Sequence, residues 1–159
     1  MKTPQWVKKL SGHAGELYVA AELSKRGILN ALLPENFSDD DILIGTKDGV
    51  GLGYIQVKSC HPDRGDSFRL SESDEKWTGE PSNKYVIFVW LGSPRKNEPP
   101  RYWIATKKEV GSYCIKHSAH GTSNPERRFF ISQTSNPRRI CLKPRWLDQW
   151  GILDKHLPV

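Results

Sequence analysis

The run Tyr85-Val86-Ile87-Phe88-Val89-Trp90-Leu91 is apolar at every one of its seven positions. A strand with one wet face alternates apolar and polar residues, so an unbroken run reads as a strand buried on both faces. Such a strand needs neighbours beside it and a covering layer on each side. Tyr102-Trp103-Ile104-Ala105 is the expected neighbour, joined through the Pro-rich turn 93–100. Upstream, Asp41-Ile42-Leu43-Ile44 and Tyr54-Ile55-Gln56-Val57-Lys58 flank a glycine-rich stretch containing Lys47-Asp48-Gly49, the punctuation of a hairpin. Period-2 alternation sends Ile55 and Val57 to one face and Gln56 and Lys58 to the other.

Helical patterns supply the cover. Ser11 is positioned to cap a helix running to about Arg26, with Gly27 as the terminating residue. Its apolar stripe reads Ala14, Leu17 and Ala21, with Glu16, Ala20 and Leu23 in the adjacent row. Glu16 therefore lies at the edge of the buried face. Thr106 is placed to cap a second helix to about Lys116, short strands are expected at 128–131 and 139–142, and Pro144 opens a last amphipathic helix carrying Trp146, Leu147 and Trp150. The order points to an α/β or α+β domain, one sheet with helices outside it.

The chain's 159 residues suit a single domain. No apolar run approaches the ~18 residues of a membrane span, the first residues lack the apolar stretch of a secretion signal, and three cysteines are an odd number without paired spacing. A soluble, cytoplasmic protein with reduced thiols and no membrane partner is the expectation. The charge is uneven. Residues 81–159 hold 14 Lys/Arg against 5 Asp/Glu, a net of +9, while residues 1–80 hold 10 against 13, a net of −3. Arg127, Arg128, Arg138, Arg139, Lys143 and Arg145, interleaved with Phe129, Phe130 and Trp146, are the candidate phosphate contacts of that basic half. Phe129, Phe130 and Trp146 themselves read better as core.

One constellation carries chemistry. Asp41 begins one hairpin strand, and Gln56 and Lys58 share a face of the other, so strand pairing brings them close. A carboxylate and an amide oxygen suit a hard cation such as Mg²⁺. A lysine two residues along can orient a water or offset charge developing on a phosphate. Asp40 is the alternative ligand, but Asp41 abuts the apolar strand. Glu16 adds a carboxylate if the first helix packs over the hairpin. Gly49, Gly51 and Gly53 lie inside a hairpin and open no helix, so they form no phosphate loop. Cys114-x-x-His117-x-x-His120 lacks the paired cysteines of a zinc site.

In these residues the sequence resembles the PD-(D/E)XK, or restriction-endonuclease-like, nuclease superfamily. The resemblance runs over roughly residues 11–60 and rests on Gly15-Glu16-Leu17-Tyr18-Val19-Ala20-Ala21-Glu22-Leu23, Asp41-Ile42-Leu43-Ile44 and Ile55-Gln56-Val57-Lys58. It implies a single-domain α/β fold over 1–159, a central mixed sheet flanked by helices, and Mg²⁺-dependent hydrolysis of DNA, with Mn²⁺ as a substitute. The family's helical Glu falls on Glu16, its metal-binding Asp on Asp41 and its lysine on Lys58. Its second acidic ligand falls on Gln56, which can coordinate but brings no charge. A binding module that keeps the fold and has lost turnover is the alternative. Many members are dimers, which leaves a homodimer open.

Overall fold

The structure, a computed structural model, describes residues 4–36, 38–46, 48, 51–70, 72–118, 127–132, 135 and 139–157, with residues 64, 72–75, 118 and 127 described in backbone only. Five strands, β1 (Leu29–Leu32), β2 (Ile42–Gly45), β3 (Gly53–Cys60), β5 (Lys84–Trp90) and β6 (Arg101–Thr106), form one sheet in the order β1-β2-β3-β5-β6. All neighbours are antiparallel except β3 and β5, so the sheet is mixed and the fold is α/β. Two further strands, β4 (Ser67–Leu70) and β7 (Arg127–Phe130), pair antiparallel as a separate ribbon.

β5 does what its unbroken apolar run predicts. Tyr85, Ile87 and Val89 pack with Ile42, Ile44 and Ile55 beneath helix α1 (Gln5–Lys25), while Val86 and Phe88 face Phe68, Trp77, Trp103, Phe129 and Trp146 on the side of helix α2 (Lys107–Ser118). All five residues Tyr85–Val89 are buried. The Thr106 hydroxyl accepts from the Glu109 N–H at 3.2 Å and caps α2 as expected. Among the described residues, no helix is long and apolar enough to cross a membrane.

Helix α1 starts seven residues earlier than the Ser11 cap predicts. Pro4 precedes it, and Ser11 sits inside the helix with its hydroxyl donating to the Val7 carbonyl at 3.1 Å, a bond that satisfies a serine without ending anything. Gly27 does adopt a left-handed φ of 77° after the helix end. The buried face is Gly15, Val19 and Leu23, one step round from the predicted stripe. Leu17 is exposed. Gly15 sets that rotation, because a Cβ there would overlap the Ser59 hydroxyl and lie 3.0 Å from Ser59 Cβ. The absent side chain lets α1 settle onto β3. Gly15→Ala gains helix propensity of about 1 kcal/mol, yet overpacking at such a contact costs about 1–3 kcal/mol. A lowered urea midpoint is expected, and a raised one would show that Ser59 rotates aside freely.

The last helix is also different. Residues Pro144–Trp146 and Trp150–His156 form two 3-10 helices, separated by Leu147, which bridges to Trp103 of β6, and by Asp148 at φ 52°. Trp146 belongs to the α2-side core and Trp150 to the α1-side core. The chain wraps the β6 edge between them, and a continuous helix could not serve both faces. Of the expected 139–142 strand only a bridge from Cys141 to Phe130 remains.

Candidate active site

β3 is held on one side by β2 and on the other by β5, so its side chains have the most rigid placement the sheet offers. Ile55 and Val57 pack into the α1-side core. Gln56 and Lys58 therefore project from the opposite face, over the positions paired with Val86 and Phe88. The pairing of Ile42 with Ile55 puts Asp41 across from Gln56. Asp41 is pinned at two points: its N–H donates to the Ile55 carbonyl at 2.9 Å, and its Oδ2 accepts from the Val57 N–H at 2.7 Å. These two bonds bracket Gln56. Lys58 extends beside Trp77, its ammonium 5.6 Å from the ring centroid.

Burial raises the Asp41 carboxyl above its ordinary pKa; the Val57 hydrogen bond works against this, Asp40 adds to it, and Lys107 and Lys58 lower it again. Glu16, half-buried on α1, is raised by burial and then by Asp41, with His13 opposing and Glu35 adding. The two carboxylates thus feel each other's charge. Between the ordinary carboxylate range and these raised values, the folded protein holds more protons than the unfolded chain, so both groups make stability fall as pH rises through that window. Asp41→Asn keeps an acceptor for Val57 and removes the charge. It should raise the melting temperature at pH 7, a difference that shrinks to nothing by about pH 3, where the carboxyl is protonated in both states. A lower melting temperature at pH 7 would mean the hydrogen bond outweighs the burial.

The residues present fit a hard divalent cation. Gln56 Oε1 is buried with no hydrogen-bond partner, an arrangement that costs about 1–3 kcal/mol unless a ligand completes it. Gln56 stands in register opposite Asp41 and two positions from Lys58 along β3. Among the described residues, no group of three or more His, Cys, Asp and Glu side chains could hold a metal ion.

Asp40 has a different place from Asp41. It is buried, with Oδ1 accepting from Lys107 at 2.7 Å and Oδ2 lying 3.3 Å from Lys84. Lys107 is only 1% exposed and stands 5.3 Å from the Trp77 ring, the ring that Lys58 also faces. Asp40 thereby anchors the chain one residue before Asp41. Neither Lys84, Lys107 nor Trp77 is marked by the sequence. Lys107 follows a helix cap, where a lysine ordinarily points to water, and its burial depends on a partner 67 residues away.

The basic residues divide. Arg128 donates to the Ser67 hydroxyl at 3.2 Å, and Arg139 pairs with Asp66 at 2.9 Å while lying 4.3 Å over the Phe130 ring. Lys143 stands 4.9 Å from the Tyr113 ring centroid. Arg145 is engaged by Glu109. The side chain of Arg127, and Arg138 altogether, lie outside the described residues. Phe129 and Trp146 are core, as expected, and Phe130 is half-buried.

The fold is that of a mixed-sheet α/β protein with Asp41, Gln56 and Lys58 carried on the paired strands β2 and β3 and the residue preceding them. Among solved structures it is similar to that of a bacterial homing endonuclease, I-Ssp6803I, with a TM-score of 0.56 and 14% identity over 93% of this chain and 92% of that one. No protein-family model matches the chain, and no curated protein does. At that identity the likeness is one of fold.

Proposed function

We propose that this protein is a metal-dependent endonuclease of the PD-(D/E)XK type that hydrolyses phosphodiester bonds in DNA. The observation that supports the reading is the buried Gln56 Oε1 without a hydrogen-bond partner, on a residue in register opposite Asp41 and two positions from Lys58 along β3. The fold shared with a homing endonuclease supports it. Asp41 and Gln56 would hold Mg²⁺, or Mn²⁺ in its place, with Glu16 as an additional carboxylate. A bound divalent ion there supplies Lewis-acid stabilisation of phosphate charge and a more acidic water. The chain's own residues do the rest. Asp41, fixed by its two backbone bonds, presents its remaining oxygen without reorganisation. The Lys58 ammonium positions the attacking water and offsets negative charge as it develops on the phosphate. Lysines and arginines of the basic half meet the DNA backbone. Nothing in this scheme requires a second subunit, although a homodimer would present two such sites to the two strands of a duplex.

The test is calorimetric titration of Mg²⁺ together with incubation of duplex, single-stranded and branched DNA in Mg²⁺ or Mn²⁺, scored for new ends. Gln56→Glu places a negative charge at the second ligand position and should tighten Mg²⁺ binding, with cleavage still measurable. Tighter metal binding with no cleavage in either protein would instead assign the chain to a DNA-binding module that has lost turnover.

A further inference from the structure

We propose that the hollow between helix α2 and Lys143 is a phosphate-binding site, with Lys108, Lys116 and Lys143 holding the anion. The three lysines line one cavity of about 350 Å³ together with Glu109, Ser112 and Tyr113. Lys108, Ser112 and Lys116 follow at four-residue steps, so they form a single row along α2. An acid at the middle step would pair with either lysine, but the row holds a serine there. Glu109 is the only acid of α2, and Arg145 engages it. Across the hollow, the Lys143 ammonium stands 4.9 Å from the Tyr113 ring centroid and 5.7 Å from that of Trp146. Those rings hold the ammonium in place without neutralising it. Among the described residues, no carboxylate lies within ion-pair distance of any of the three lysines.

The chemistry of the hollow selects its occupant. Two ammonium groups come from the helix row and one from across it, and a lysine acts on an anion as a point charge. A tetrahedral phosphate presents oxygens in all of those directions, whereas a carboxylate is planar and carries one charge. The volume falls at the lower end of the roughly 300–1,000 Å³ of small-ligand sites. That leaves room beside the phosphate for the sugar of an ester or a second phosphate. Two sources supply such a group. One is the backbone of a bound DNA strand, and this source rests on the endonuclease reading. Lys107 lies 5.3 Å from the Trp77 ring that Lys58 also faces. Helix α2 thus carries Lys107 toward the candidate active site and, about 100° further round, Lys108 toward the hollow. The other source is a free nucleotide or pyrophosphate, which involves no cleavage.

The experiment titrates pyrophosphate, and in parallel single-stranded and duplex DNA, into the full chain without magnesium, with a melting temperature for every variant. The parent should bind one pyrophosphate per chain. Lys108→Ala, Lys116→Ala and Lys143→Met should each weaken that binding about tenfold or more, the loss expected for one hydrogen bond between charged groups. Melting temperatures should be kept, since Lys143→Met preserves the stem that lies on the rings. Lys108→Arg should retain binding, and Lys96→Ala, in the β5–β6 turn and outside the lining, should change nothing. A log–log salt slope for DNA flattened by about one unit in Lys116→Ala assigns the phosphate to a DNA strand. An unchanged slope beside lost pyrophosphate binding assigns it to a free phosphorylated ligand. Pyrophosphate and DNA both indifferent to the three substitutions overturn the proposal. So does an equal loss from Lys96→Ala, the mark of diffuse surface charge. A parent that binds no DNA at any salt overturns the endonuclease reading, and the pyrophosphate titration alone then decides the cavity.

Discussion

Lys58→Ala should abolish DNA cleavage, with a loss of at least about 100- to 1,000-fold, the range for removing one preorganised charge-stabilising group. The substitution deletes no candidate metal ligand. It opens no core cavity, since Lys58 is half-buried at the margin of Trp77. Mg²⁺ affinity, DNA affinity and the melting temperature should therefore stay near those of the parent. That combination separates a reacting group from a structural one. Cleavage that survives in the variant would place the activity at another site and remove the mechanism proposed here.

Asp40→Ala should be the most destabilising polar substitution in the protein. It leaves Lys107, 1% exposed, without its carboxylate and takes one of the two carboxylates paired with Lys84, the other being Glu80. Breaking a buried pair from one side costs about 3–5 kcal/mol, a large share of the roughly 5–15 kcal/mol that holds a domain together. Pairing the change with Lys107→Met should recover much of the loss, because an apolar side chain of similar length needs no counter-ion. A single-variant loss below about 1 kcal/mol in urea unfolding would show that water reaches Lys107. Because Asp40 precedes Asp41, the variant should also lose cleavage at temperatures where it remains folded.

The contrast between these two aspartates marks how far the sequence reaches. The Asp41, Gln56 and Lys58 placement was legible because a hairpin is local: strand alternation and a short turn fix which side chains share a face. β5 was legible because no other element explains seven apolar residues in a row. The pairing of Asp40 with Lys107 was not, since it joins positions that only tertiary folding brings together. β1 is not legible because it is short and mostly exposed, with Leu29, Ala31 and Leu32 all accessible to solvent, so no alternation marks it. β4 has the right alternation, Ser67-Phe68-Arg69-Leu70, but its partner lies far along the chain. The register of α1 was misjudged because its contact residue is a glycine, and apolar periodicity is blind to a face made by absence.

That distance between β4 and β7 has a kinetic consequence. Their paired residues are 57 to 63 positions apart in sequence, whereas those of β2 and β3 are 9 to 13 apart. Closing the longer loop costs more chain entropy before any contact repays it. The hairpin carrying Asp41, Gln56 and Lys58 is thus favoured to form early, and the ribbon closes on a core already assembled from β5, β6 and α2. Run in reverse, the same asymmetry makes the ribbon the first part to open. A molecule caught in that partly open state would keep Asp41, Gln56 and Lys58 in register while uncovering Phe88, against which Phe68 and Phe129 pack.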